Sequence, residues 1–196
     1  TLDNMTQLQQ ICATMEHSYL GDLQIKVISP TGQEVILKEF NGGGSCDLGE
    51  PFASDQVDGA NSNLIDPGIG FEYCWNAAPI YLTMVQESNN YTHTIPSSTG
   101  GTYTDTYLPQ GSYTSVGNLN QLLGSDLNGN WNLEVSDQFD LDNGYIFSWN
   151  VSLVSDLPDT LVTITEPIPL SVSGFITCLL YPYDAADKLL CLYLGG

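Results

Sequence analysis

Asp137, Asp140, Asp142 and Asn143 crowd one short stretch that ends at Gly144. Carboxylates and carboxamides at that density, beside the carbonyls of a tight loop, offer the hard oxygens that calcium takes about six to eight at a time. The run Asp140-x-Asp142-Asn143-Gly144 is one residue short of an EF-hand start and no glutamate follows at the required distance, so an EF-hand is rejected. The expectation is a loop site with Asp22, or Glu50 and Asp55 from the long loop, as further ligands. The competing expectation is that Asp22 or Asp137 caps a turn by accepting backbone N–H groups. His17, flanked by Ser18 and Asp22, invites a catalytic reading. A Ser-His-Asp set also requires a nucleophile on a tight turn and an oxyanion hole, and Gly-x-Ser-x-Gly occurs nowhere. His17 falls on an inward strand face, so a structural role is expected. His93 sits among polar residues with no partner at metal-ligand spacing. Tyr103, Tyr107 and Tyr113 form a polar aromatic segment able to stack on sugar rings, which gives a carbohydrate-binding or adhesive alternative with polysaccharide or another surface protein as partner. Trp75, Trp131 and Trp149 lie in alternating segments and are expected in the core.

The charge balance removes whole classes of partner. Three basic residues, Lys26, Lys38 and Lys188, stand against 23 acids, for a net charge of −20. Neutralising phosphates needs cations that this chain lacks, so nucleic acid is excluded and anionic membrane surfaces are disfavoured. Self-repulsion on this scale makes a divalent cation a natural partner outside the cell. The five cysteines, at 12, 46, 74, 178 and 191, make no CxxC or Cys/His zinc pattern. Cys46 and Cys74 bracket a loop-rich stretch, and a bridge there would contribute roughly 3–4 kcal/mol by restraining the unfolded chain. Cys178 and Cys191 are candidates for a second bridge, with Cys12 left single; five buried thiols are the alternative. No apolar run approaches the roughly 20 residues of a membrane span. Thr1-Leu2-Asp3-Asn4 has neither the charged nor the apolar part of a signal peptide, so the chain reads as a piece of a longer secreted protein.

Segments of alternating polarity dominate, which predicts an all-β, two-sheet β-sandwich with little helix. Ala13, Met15, His17 and Tyr19 share a face, and Leu23, Ile25 and Val27 repeat the pattern. Ser29-Pro30-Thr31-Gly32 then turns the chain into Glu34–Leu37 as a hairpin partner. A long, apolar-poor loop runs from 41 to 70. Strands are expected at 71–75, 81–86 and 103–107, a helical turn at 118–123, and closing strands at 131–136 and 145–154 joined by an Asn143-Gly144 turn. Residues 1–156 form the sandwich, and 157–196 are a linker leading into a truncated Ig-like or adhesin repeat, or a tail that packs back.

The ends of this pattern resemble a known family. His17-Ser18-Tyr19-Leu20-Gly21-Asp22-Leu23, Ser29-Pro30-Thr31-Gly32, Asn128-Gly129-Asn130-Trp131, and Gly144 with Trp149 occur in the order of the P domain (P/Homo B) of kexin- and furin-type convertases. Pro67–Trp75 resembles a variant in secreted and displayed proteins of gliding Bacteroidetes. The resemblance covers about residues 8 to 155 and implies a jelly-roll-like (galactose-binding-like) β-sandwich. It implies a non-catalytic domain that folds or positions a neighbouring domain of the same polypeptide, such as a subtilisin-like serine protease, with calcium as a staple. It also implies a secreted or cell-surface location and a structural role for His17. Leu20 replaces the arginine that precedes Gly-Asp in the convertase pattern, so no Arg-dependent contact is implied.

Overall fold

The computed structural model describes residues 1–42, 46–51, 66–96, 100–139 and 142–154 in full, and the backbone of 160–169, 174–179 and 190–195. The strands are β1 (Leu8–His17), β2 (Leu23–Ile28), β3 (Glu34–Lys38), β4 (Asp47–Leu48), β5 (Phe71–Trp75), β6 (Thr92–Pro96), β7 (Thr102–Leu108), β8 (Gly111–Tyr113), β9 (Asn132–Asp137), β10 (Gly144–Leu153), β11 (Thr160–Pro169), β12 (Gly174–Leu179) and β13 (Leu190–Gly195). One short helix, α1 (Met84–Glu87), interrupts them. Two sheets result, as the alternating sequence requires. The first runs β11-β10-β1-β4-β7-β6, with β5 beside β1 and β8 beside β5; the second runs β13-β12-β9-β2-β3.

Period-2 patterning fills the core between them. On β2, Leu23, Ile25 and Val27 are buried while Gln24, Lys26 and Ile28 are less so. They join Leu133 and Val135 of β9, Ile11, Ala13 and Met15 of β1, and Trp149 of β10 in one cluster. Trp75, Trp131 and Trp149 are at most 2% exposed, as expected. Burying a side chain of that size contributes roughly 3 kcal/mol. The β2–β3 hairpin forms as read: the Gly32 N–H donates to Ser29 O at 3.0 Å and the Ser29 N–H to Gln33 O at 2.8 Å. Gly32 has φ +89°, a conformation that costs glycine little. The helical turn expected at 118–123 is a 3-10 turn at Leu119–Leu122, capped by the Asn118 side chain.

Three expectations fail for identifiable reasons. The segment 81–86 is not a strand. Thr83 Oγ1 accepts from the Gln86 N–H, and Gln86 Oε1 accepts from the Thr83 N–H, a reciprocal capping box that starts α1. Asn143-Gly144 does not close a hairpin either, because β9 pairs with β2 in the second sheet and β10 with β1 in the first. Gly144 instead lets two strands approach: a Cβ there would lie 2.4 Å from Glu16 O and 2.6 Å from His17 Cδ2.

The Cys46–Cys74 bridge is the third correction. Cys74 is bonded to Cys12, its direct partner in the β1–β5 register, with Cα atoms 4.1 Å apart. Cys46 is a free, buried thiol. Strand pairing overrules loop length here, because adjacent strands bring two Cβ atoms within bonding reach. Cys178 and Cys191 face each other in the β12–β13 register, but their side chains lie outside the described residues.

Candidate functional site

Three chain segments meet where β2 and β3 leave the hairpin's far end. They are the turn Leu20–Asp22 before β2, residues 38–42 after β3, and residues 137–139 at the end of β9. Backbone bonds tie them together: Gln138 N–H donates to Asp22 O at 3.0 Å, and Asn41 and Gly42 N–H to Gly21 O at 3.3 and 3.0 Å. Lys38 is 1% exposed and works as a fastener. Its Nζ donates to Leu23 O at 2.7 Å, Asn41 Oδ1 at 2.9 Å and Gly21 O at 3.5 Å. Burial pushes the amine down to about 7, against a smaller pull upward from Asp22 and Glu39.

His17, at the end of β1, is fully buried beside this junction. Nδ1 accepts the Tyr19 N–H at 3.0 Å, so a neutral ring carries its proton on Nε2, and Nε2 faces Asp137 Oδ2 at 3.5 Å. Asp137 Oδ1 in turn accepts the Phe139 N–H at 3.1 Å, the turn-capping use of an aspartate. Nδ1 is committed to the backbone, and Nε2 is buried against Asp137, so the ring is closed off from solvent.

Of the carboxylates expected to bind calcium, Asp22 lies against Asp142 and in the field of Asp137, but the three do not close into a ligand set. Among the described residues the only such close group is Cys12, Glu72 and Cys74, two of which are spent in the disulfide. Asp140 lies outside the described residues. Burial raises the Asp22 carboxyl, and Asp137 raises it further, while His17, a side-chain hydrogen bond with Asp142, and Lys38 act in the opposite sense. A hydrogen bond between two carboxyl groups requires a proton on one of them. Glu50 pairs through its backbone with Ile69, and Asp55 lies outside the described residues.

A second Asp–His pair went unread in the sequence. His93 lies on β6, its ring stacked on Tyr107 at 4.3 Å, with Nε2 3.5 Å from Asp47 Oδ2. Asp47 is 1% exposed. Tyr19 connects the two groups of acids: burial raises its hydroxyl, followed by the fields of Asp142, Asp22, Asp105 and Asp47. Only strand pairing reveals this, since β4 meets β7 and β7 meets β6 from distant parts of the chain. Cys46 is next to Asp47, in hydrogen-bond contact with the Asn89 backbone and the Thr106 side chain. Burial pushes its thiol up to about 11, too high for a nucleophile at neutral pH.

The tyrosine segment is not an open platform. Tyr113 is fully buried, stacks on Tyr81 at 4.9 Å and donates its hydroxyl to Pro109 O at 2.6 Å, which corrects its assignment as a ligand-binding residue. Tyr107 has His93 against one face and the Phe71 ring edge-on at 6.1 Å. Tyr103 is partly buried opposite Ile95.

A two-sheet sandwich whose buried histidine is locked into its own backbone defines a structural, accessory class of domain. The chain matches the family model of the proprotein convertase P-domain over residues 8–63 and 89–153, and it belongs to that family. This family's domain is a non-catalytic accessory of multidomain, convertase-like proteins. Neither the curated proteins nor the solved structures contain a match. No helix among the described residues is long and apolar enough to cross a membrane.

Proposed function

We propose that this P-domain folds or positions an adjacent module in a secreted or cell-surface protein, with calcium bridging Asp22 and Asp142 as a staple. The family match over both halves of the sandwich carries the reading. The Cys12–Cys74 disulfide supports an oxidising compartment. The convertase description of the family makes a serine-type endopeptidase the neighbour to test first. For calcium, the support is the direct contact between the Asp22 and Asp142 side chains and the burial that disfavours charge on Asp22. The ion would supply positive charge and a geometric tie, with no chemical step.

The test is thermal unfolding of the polypeptide that carries this domain, with and without residues 8–153, in chelator and then in millimolar calcium. Loss of the domain is expected to lower the neighbour's melting temperature, and calcium to raise the domain's own. A neighbour that folds and melts identically alone would remove the accessory role. A domain midpoint indifferent to calcium would remove the staple, because a ligand of the native state must shift it.

A further inference from the structure

Phe40 and Phe139 are 39% and 46% exposed, and their rings lie 5.8 Å apart on the same end as the carboxylates. The core has no need of them there, yet the chain fixes both. Phe40 follows the buried Lys38 by two residues, and the Phe139 N–H is held by Asp137. We propose that the Phe40–Phe139 pair, with the exposed Glu39 next to Phe40 and the part-exposed Asp142 shortly after Phe139, is a docking surface for an arginine- or lysine-bearing segment of a partner protein.

Charge and exposed aromatic surface point to such a partner. Asp22, Glu39, Asp137 and Asp142 converge on this end, and Tyr19 also feels Asp47 and Asp105. The opposing cation, Lys38, is buried at 1% exposed. A guanidinium placed over exposed aromatic rings and beside carboxylates gains cation–π attraction and charge-assisted hydrogen bonds together. A second copy is a poor occupant. It also carries −20, and of its basic residues Lys26 is held by Glu34 and Glu134 while Lys38 is buried. The charge argues equally against an anionic lipid surface.

The docking surface does not depend on calcium, so the assay is run in chelator. A fluorescent peptide with about four arginines among glycine and serine is titrated into the chain at roughly physiological salt, where distant charges are screened. Binding is expected, with about tenfold weakening in the Phe40→Ala/Phe139→Ala variant. Asp142→Asn is expected to weaken it as well, and Asp126→Asn, at the opposite end, to leave it unchanged. Melting curves confirm that the variants fold; Asp142→Asn serves if the double variant does not. Equal affinity of the native chain and Phe40→Ala/Phe139→Ala would overturn the proposal, as would equal loss in Asp126→Asn or equal binding of an uncharged peptide.

Discussion

Lys38 shows how one residue sets a property of the domain. A buried ammonium is costly unless satisfied, and here two backbone carbonyls and the Asn41 side chain surround it. Even so, burial dominates and its folded-state value falls to about 7, against 10.5 in the unfolded chain. Below about 7 the amine is charged in both states, and its contribution to stability does not vary with pH. Between these values the unfolded chain binds more protons, so stability rises with pH, by at most about 1.4 kcal/mol per pH unit. Urea unfolding between about pH 7 and 9.5, below the main tyrosine range, is expected to show that rise in the native chain and its loss in Lys38→Met. Parallel profiles for the two proteins would show that Lys38 keeps its proton throughout.

At the scale of elements, Gly144 is where β10, paired antiparallel with β1, leaves no room for a side chain. Any side chain there meets Glu16 O and the His17 ring, and the adjoining strands leave them little room to move. Gly144→Ala is expected to cost about 2–3 kcal/mol in chemical unfolding, as overpacking does; an unchanged midpoint would show that the strands separate easily. The same residue shows what the sequence can carry. The β2–β3 hairpin was legible because its alternation and its Ser-Pro-Thr-Gly turn are local. Asn143-Gly144 carries the same kind of local signal but serves a contact between strands, and nothing nearby in sequence says that β9 and β10 belong to different sheets. The site divides in the same way. Asp22 was readable as a neighbour of His17 and as a candidate companion of Asp137, but the His17–Asp137 contact was not. The Phe40–Phe139 and Asp47–His93 pairs were not readable either, because each forms only when segments distant in sequence meet. Lys38, whose partners Leu23 and Asn41 are near in sequence, reads as an ordinary surface lysine until the fold buries it.

For the whole molecule, the disulfide and the charge act against each other. A net charge of −20 favours expansion, and few basic residues are present to offset it. The Cys12–Cys74 bond closes a ring across a sequence separation of 62, holding β2, β3, β4 and the long middle segment between β1 and β5. In the loop-entropy model a ring of that size contributes about 4 kcal/mol by limiting the unfolded chain. The Cys12→Ala/Cys74→Ala variant is therefore expected to lose up to about 4 kcal/mol, and to lose most at low salt, where the charges of the unfolded chain repel furthest. Cys46→Ala removes only a buried thiol and is expected to cost about 1 kcal/mol. Peptide mapping of the unreduced protein provides the independent check: a fragment joining Cys12 to Cys74 is expected, with Cys46 alkylated only after denaturation. A fragment joining Cys46 to Cys74 would reverse the assignment and move the covalent tie from the β1–β5 pair to the rim beside Asp47.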